Sequence, residues 1–394
     1  MNYEEILSKT VQRIPPSGIR KFFDIVSEMK DAISLGVGEP DFVTPWNICE
    51  SAIYSLEKGQ THYTSNWGTP QLRRAIADYL QTRFSLRYDP MKEIIVTVGA
   101  SEGVDLALRA LINPGDEVLV PDPSYVSYAP CIALAGGVAV PVETDARRSF
   151  RLGPEELRRA LTPRTKALIL SYPNNPTGAV MEREDLERLA QVLQDTNVMV
   201  ISDEIYAELC YTQQPHVSFA TLPGMWERTI TLNGFSKAFA MTGWRMGYLC
   251  APAALAAGIC KIHQYTILCA PSQGQAAALE ALTSGKENNY ASIERMRSTY
   301  DRRRRLLVKA FREMGLECFE PLGAFYVFPC IQSLGMSSED FCEQLLYEEK
   351  VAVVPGTAFG ASGEGFIRCS YATATDKVQE AAQRIARFVE RHRR

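Results

Sequence analysis

The stretch NGFSKAFAMTGWRMGY, residues 233–248, follows the apolar run TITL and contains one lysine among apolar and small residues. Burial in such a neighbourhood lowers the pKa of an amine, because desolvation penalises its charged form. A neutral amine is a nucleophile toward carbonyl groups. Lys237 is therefore a candidate catalytic residue, and Ser236 and Arg245 beside it carry groups that can bind a phosphate.

Around this stretch, short apolar runs alternate with helix-like segments such as PEELRRAL and EREDLERLAQVLQ. The runs that we predict to be strands are EIIVTV, EVLVPD, VAVPVET, KALILSYP, VMVISDE, RTITLNG and MGYLCA. Near-continuous Val, Ile and Leu are typical of a parallel sheet that is covered on both faces. We predict an α/β protein with a large, doubly wound, mostly parallel sheet within residues 46–280.

A smaller α+β domain is predicted from the two chain ends, residues 1–45 and 281–394. The C-terminal part combines long helical patterns with short strand patterns such as GAFYVFP and VAVVPG. One helical pattern contains the run Arg302–Arg305, for which we predict a solvated helix face. At the start of another helix, Thr69 is predicted to be the N-cap before Pro70.

Composition excludes several classes of function. The chain has 394 residues, of which 46% are hydrophobic and 22% charged, as in ordinary globular proteins. A net charge of −4 gives no basic field for nucleic acid or anionic lipid, so we expect neither partner. Four histidines and ten scattered cysteines without a CxxC predict no metal site and favour reduced thiols in the cytoplasm.

The sequence predicts no membrane association or export. The N-terminal MNYEEILSKT lacks the basic and apolar regions of a signal peptide. The longest uncharged run, residues 123–142, is interrupted by prolines and a Gly-Gly pair, which argues against a membrane span.

Polar residues follow several predicted strands, where ligands bind in open α/β sheets. Ala100 and Ser101 lie at the start of a predicted helix, whose free N–H groups attract phosphate. In SYPNNPTG, the Asn175 amide can bond a ring hydroxyl. In ISDEIY, the Asp203 carboxylate needs a partner such as a protonated pyridine nitrogen, and Tyr206 can reach the same ring. Each feature alone is equally typical of a plain turn or a helix N-cap.

Taken together, these motifs resemble the class I/II aminotransferases, which are fold type I enzymes that use pyridoxal 5′-phosphate (PLP). The resemblance covers nearly the whole chain, from GVGEPDF at residues 36–42 to FIRCSYA at residues 366–372. The motifs that carry it are Asn175-Pro176-x-Gly178, Asp203-x-x-Tyr206, and Ser236-Lys237 with Arg245.

The resemblance implies a role for each matching residue around the cofactor ring. Lys237 would hold the PLP aldehyde as an internal aldimine and move the proton between the substrate Cα and C4′. Asp203 would keep the ring nitrogen protonated. Tyr206 and Asn175 would bond the ring oxygen, and Tyr125 would stack on the ring.

The resemblance also implies which residues bind the cofactor phosphate and which bind the substrate. The implied phosphate site consists of the Ala100 and Ser101 backbone, Ser236 and Arg245. Tyr63 would reach the phosphate of the neighbouring subunit, which implies a homodimer. Arg368 would pair with the substrate α-carboxylate, with a backbone contact from Gly38.

Two regions fit the resemblance less closely. Some relatives have a phosphate-binding serine at the position of Gly234, and Ser236 would compensate for its absence. In relatives, the region of residues 14–25 covers the mouth of the active site. Arg20, Phe22 or Phe23 would then touch the substrate, although we favour ordinary packing for this segment.

The implied activity is transfer of the amino group of an L-amino acid to a 2-oxo acid, with 2-oxoglutarate as the expected acceptor. The cycle would be ping-pong, through pyridoxamine phosphate. The alternatives are a PLP lyase or aminocyclopropane-carboxylate-synthase-like enzyme, and a non-catalytic binding or regulatory protein on this fold. Because the sequence assigns no second arginine to a substrate side chain, aspartate, alanine, aromatic and acyl-diaminopimelate donors all remain open.

Overall fold

The computed structural model describes residues 1, 3–16, 18, 29 and 31–393. In chain order, its strands are β1 (Ile33–Ser34), β2 (Ile94–Val98), β3 (Glu117–Asp122), β4 (Val138–Glu143), β5 (Thr165–Ser171), β6 (Met199–Asp203), β7 (Thr229–Gly234), β8 (Met246–Cys250), β9 (Tyr326–Val327), β10 (Val351–Ala352), β11 (Val354–Pro355) and β12 (Ile367–Ser370).

The helices cover both faces of the large sheet and form much of the C-terminal part. In chain order, they are α1 (Tyr3–Ile6), α2 (Lys9–Arg13), α3 (Trp46–Glu57), α4 (Pro70–Phe84), α5 (Gly99–Leu111), α6 (Tyr128–Leu134), α7 (Pro154–Ala160), α8 (Arg183–Leu193), α9 (Phe235–Ala238), α10 (Ala253–Thr266), α11 (Ser272–Glu287), α12 (Ala291–Glu313), α13 (Ser338–Glu349) and α14 (Thr375–His392).

The large sheet has the strand order β2-β8-β7-β6-β5-β3-β4. Strands β3 to β7 pair in parallel, whereas β8 runs antiparallel to both of its neighbours, β2 and β7. The prediction of an α/β fold with a mostly parallel sheet is confirmed. Strand β8 is reversed because the connection 235–245 is too short for the crossover that a parallel neighbour requires.

Two small sheets lie outside the large sheet, and one of them combines the two ends of the chain. Strand β1 pairs with β10, and β9, β11 and β12 form an antiparallel sheet. One apolar cluster joins the N-terminal strand to the C-terminal helices, as shown by the buried residues Ile33, Leu307, Phe341 and Phe388. The division into 46–280 and the two chain ends stays a prediction.

One local prediction is confirmed in position and another is wrong. Thr69 is the N-cap residue of α4 and Pro70 follows it, as predicted, although the Thr69 side chain makes no capping hydrogen bond. In the arginine run, Arg303 and Arg304 are buried, and only Arg302 and Arg305 are exposed. Arg303 lies 2.9 Å from the carboxylate of Asp41, and carboxylates also meet Arg304, so ion pairing allows this face of α12 to be buried.

Among the described residues, no helix is both long and apolar enough to cross a bilayer. Within the same part of the chain, His, Cys, Asp and Glu side chains form no cluster of three or more that could hold a metal ion.

Candidate active site

A cavity of about 340 Å³ opens where β5, β6 and β7 end. Of the twelve residues singled out from the sequence, eleven line this cavity: Gly38, Ala100, Ser101, Tyr125, Asn175, Asp203, Tyr206, Ser236, Lys237, Arg245 and Arg368. The twelfth, Tyr63, is 84% exposed and lies outside the lining of its own chain's cavity. Arg20, Phe22 and Phe23 fall outside the described residues.

Lys237 lies on the short helix α9, which follows β7 directly. Its Nζ donates a hydrogen bond of 2.6 Å to the carbonyl oxygen of Gly38, and the rings of Tyr206 and Phe325 lie 5.8 and 5.5 Å away. Burial lowers the pKa of this amine from its ordinary 10.5 to about 8. The neutral, nucleophilic form is therefore accessible near physiological pH.

Asp203 is the last residue of β6 and is 6% exposed. Burial raises the pKa of its carboxyl group. Two donors oppose this effect, since the Tyr128 hydroxyl bonds Oδ2 at 2.7 Å and the Ile205 backbone N–H bonds Oδ1 at 3.2 Å. A protonated ring nitrogen in the cavity would complete the charge balance of this carboxylate.

The sequence did not reveal several residues that line the cavity. Among them, Tyr128 also lies 2.9 Å from Ser171 Oγ, and the Tyr326 and Tyr206 hydroxyls are 3.0 Å apart. The spacing of Tyr128 from Tyr125 was a usable signal, because residues three apart share one face of a helical turn. The remaining lining residues that sequence reasoning missed are Glu39, Val104, Ile205 and Thr242.

Groups that can bind an anion meet where α5 begins at Gly99. Its first N–H groups have no partners within the helix and, with the helix dipole, favour a phosphate. The backbone of Gly99 has φ +71°, and a Cβ there would lie 2.6 Å from Nη2 of Arg245. Arg245 itself has φ +53° and donates from Nη1 to Thr242 O at 3.0 Å. Close approach of helix and guanidinium therefore requires glycine at position 99.

The absence of a serine at Gly234 has a steric reason. A Cβ on Gly234 would lie 2.9 Å from the carbonyl oxygen of Met246 on the neighbouring strand. Ser236, two residues later, lines the cavity and is buried.

Arg368 lies on β12 and is 2% exposed. Its Nη1 donates to Asn175 Oδ1 at 2.9 Å and its Nη2 to Gly36 O at 2.6 Å. The buried Nε has no hydrogen-bond partner among the described residues. A guanidinium that lines a cavity and is bonded only to neutral partners can bind a carboxylate there.

The donor set of this cavity fits PLP. An amine of lowered pKa suits its aldehyde, a buried carboxylate suits its ring nitrogen, and a helix N-terminus with Arg245 suits its phosphate. The profile of the family described as aminotransferase class I and II matches residues 30–385. This chain belongs to the class I and II aminotransferases.

Individual class I/II aminotransferases resemble the chain over almost its whole length. The putative aminotransferase YugH of Bacillus subtilis (strain 168) is 53% identical, over 97% of this chain and 98% of that protein. An aspartate aminotransferase of Pyrococcus abyssi is 48% identical, with the same coverage. The crystal structure of an aromatic aminotransferase from Pyrococcus horikoshii OT3 is 46% identical, with a TM-score of 0.89, over 94% of this chain and 99% of that one.

As a class I/II aminotransferase, the protein is a PLP-dependent enzyme that transfers amino groups of amino acids. The family result favours this activity over a lyase and over a non-catalytic protein on the same fold.

Proposed function

We propose that Lys237 is the catalytic residue of this aminotransferase and that 2-oxoglutarate is its amino acceptor. The observation that carries the proposal is the buried Lys237 amine, with its lowered pKa, in one cavity with the Asp203 carboxylate and the Arg368 guanidinium. Bound PLP supplies an electron-accepting ring. With the cofactor bound, the neutral Lys237 amine would take the proton from the substrate Cα and deliver it to C4′ of the cofactor.

The other cavity residues hold the cofactor in this proposal. Asp203 keeps a proton on the ring nitrogen, and its own charge is stabilised by the Tyr128 hydroxyl. Tyr206 and Asn175 bond the ring oxygen, and Tyr125 covers the ring face. The phosphate is bound by the groups around the start of α5, namely the Ala100 and Ser101 backbone, Ser236 and Arg245.

Arg368 pairs with the α-carboxylate of each substrate, beside the backbone of Gly38. Its cation is buried against neutral partners, so an incoming carboxylate is the group that neutralises it. Among the described residues that line the cavity, the other cations are Lys237 and Arg245, which are assigned to the cofactor. The relatives named as aspartate and aromatic aminotransferases make these two donor classes the first to test.

The active unit in this proposal is a homodimer in which Tyr63 binds the phosphate in the neighbouring subunit. Tyr63 is 84% exposed, and the apolar side chains of Val43 and Trp46 are 87% and 69% exposed, as expected where a second subunit covers part of the surface. Sedimentation should give a particle of twice 43.9 kDa. Tyr63→Phe should weaken binding of PLP but not of pyridoxal, which lacks the phosphate. A monomer with full affinity for PLP contradicts the assignment.

We further propose a cytoplasmic enzyme with small-molecule substrates and no nucleic-acid or membrane partner. Its ten cysteines are free thiols, which a reducing compartment maintains. The larger domain, residues 46–280, would carry most cofactor contacts, and the chain ends at 1–45 and 281–394 would supply Gly38 and Arg368.

The assignment of Lys237 is tested with the purified enzyme and a panel of amino donors. Wild-type protein should show visible absorbance from bound cofactor, which a donor abolishes and 2-oxoglutarate restores. Lys237→Ala should lose the cycle completely while keeping its fold by circular dichroism. Transamination by Lys237→Ala at the wild-type rate overturns the assignment, and a donor-treated enzyme that ignores 2-oxoglutarate overturns the acceptor.

A further inference from the structure

The guanidinium of Arg368 is in contact with two aromatic rings. Its Cζ is 4.5 Å from the ring centre of Tyr326 and 4.7 Å from that of Phe359. All three side chains are buried, at 2%, 1% and 4% exposure. Tyr326 lines the cavity, whereas Phe359 belongs to the loop 356–363 and is outside the cavity lining.

Hydrogen bonds join this loop to Asp122, the last residue of β3, and to Ser124 just after it. The Ser124 N–H donates to Phe359 O at 2.9 Å. Ser362 donates to Oδ2 of Asp122 twice, from its backbone N–H at 3.1 Å and from its hydroxyl at 3.0 Å. Both contacts lie just before Tyr125, so the loop that carries Phe359 and the proposed ring-stacking residue are anchored to one segment of chain.

The hydrogen bonds of Arg368 leave its positive charge without an anionic partner. Its two acceptors, Asn175 Oδ1 and Gly36 O, are neutral and engage only the two terminal nitrogens. A long side chain that must be ordered during binding weakens affinity, whereas one that is held beforehand does not. Aromatic rings in contact with a planar guanidinium restrict its motion and also stabilise its buried charge.

We propose that Phe359 is a positioning residue for substrate: with Tyr326 it holds the Arg368 guanidinium in the orientation that meets the substrate α-carboxylate. The inference rests on the role proposed above for Arg368. Phe359 acts through Arg368 and touches neither cofactor nor substrate. Its loss should therefore weaken ligands that carry the carboxylate and leave amines without one unaffected.

The test uses the PLP-loaded enzyme and two small ligands. 2-Methylalanine carries the carboxylate and has no α-proton to lose, and isopropylamine is the same amine without the carboxylate. Phe359→Leu removes the flat face, and Phe359→Tyr restores it. Phe328→Leu is the matched control, because Phe328 is a buried phenylalanine of the same apolar cluster that stacks on Phe366 instead.

Spectral titration should give Phe359→Leu a dissociation constant for 2-methylalanine about three- to tenfold above wild type, with the isopropylamine constant unchanged. Phe359→Tyr and Phe328→Leu should match wild type with both ligands. Equal weakening of both ligands by Phe359→Leu, or the same carboxylate loss in Phe328→Leu, overturns the proposal.

The Arg368→Gln variant distinguishes failure of the positioning role of Phe359 from failure of the carboxylate-binding role of Arg368. If Arg368→Gln keeps the preference for 2-methylalanine over isopropylamine, the role of Arg368 itself is wrong. If Arg368→Gln loses that preference while Phe359→Leu keeps it, only the positioning role of Phe359 fails. If Phe359→Leu does not fold, Phe359→Tyr provides a second test. A Phe359→Tyr enzyme that has the wild-type melting temperature but binds 2-methylalanine more weakly also counts against the proposal.

Discussion

The hydroxyl of Tyr128 donates a 2.7 Å hydrogen bond to Oδ2 of Asp203, from a helix that begins 75 residues earlier in the chain. Both groups are buried, so the bond stabilises the charged form of the carboxylate in a medium where charge is costly. In the proposed site, the partner of the ring nitrogen would thus be a pair of residues rather than one aspartate.

Tyr128→Phe should weaken the binding of PLP about tenfold, because a hydrogen bond to a charged group contributes about 1.5 kcal/mol. Equilibrium dialysis of the cofactor-free protein measures the effect. Tyr88→Phe is the control, since Tyr88 is a buried tyrosine that bonds Thr231 outside the cavity lining. A Tyr128→Phe protein that binds PLP as tightly as wild type would remove Tyr128 from the site.

The lowered pKa of Lys237 predicts how loading with PLP depends on pH. The amine must be neutral to react, and its pKa is about 8. Uptake by cofactor-free protein should therefore rise about tenfold per pH unit below pH 8 and level off above it. Stopped-flow absorbance follows the rate. An exposed amine such as N-acetyl-lysine, measured alongside, should keep accelerating up to its ordinary pKa near 10.5, and the same behaviour in the enzyme would contradict burial of Lys237.

Gly99→Ala should damage the phosphate site specifically. The new Cβ would lie 2.6 Å from Arg245 Nη2, and φ +71° is strained for alanine, so about 1–3 kcal/mol of stability should be lost. The dissociation constant should rise for PLP and stay constant for pyridoxal. Gly258→Ala, on α10 with open space around it, should be neutral or slightly stabilising. Equal binding of PLP by Gly99→Ala and wild type would show that Arg245 tolerates displacement.

The ion pair of Arg303 with Asp41 should contribute to folding stability. Arg303→Met leaves the partly buried Asp41 carboxylate without its cation and should cost about 2 kcal/mol in urea unfolding. The neighbouring Arg302 is exposed, so Arg302→Ala should change stability by less than about 0.5 kcal/mol. A loss below about 0.5 kcal/mol for Arg303→Met as well would contradict the contribution of this ion pair to stability.

Sequence patterns predicted most of the fold because its signals are local. The apolar runs that became β2 to β8 and the stripe of α8, formed by Leu186, Leu189, Ala190 and Leu193, all took the predicted structure. The reversed direction of β8 was also implicit in the short connection after β7, since a parallel crossover needs more chain. The length of the connection between two strands therefore helps to predict their relative direction, which the periodicity of apolar residues does not show.

Nonlocal pairing is what the sequence could not show. The burial of Arg303 depends on Asp41, which is 262 residues away, and the Tyr206 hydroxyl meets Tyr326 at a separation of 120 residues. No spacing rule within one helix or strand connects such positions. The site prediction therefore found residues that follow strands and missed those, such as Tyr128 and Tyr326, that reach the cavity from packed elements.

The neutral partners of Arg368 have a kinetic consequence. If this cation is the sole anchor for an α-carboxylate, the amino acid and the 2-oxo acid must bind at the same position. They therefore bind one after the other and never together. An excess of one acid will then fill the enzyme form meant for the other and slow turnover. Inhibition by a high concentration of 2-oxo acid, relieved by raising the concentration of amino acid, would be the kinetic signature of one shared carboxylate site.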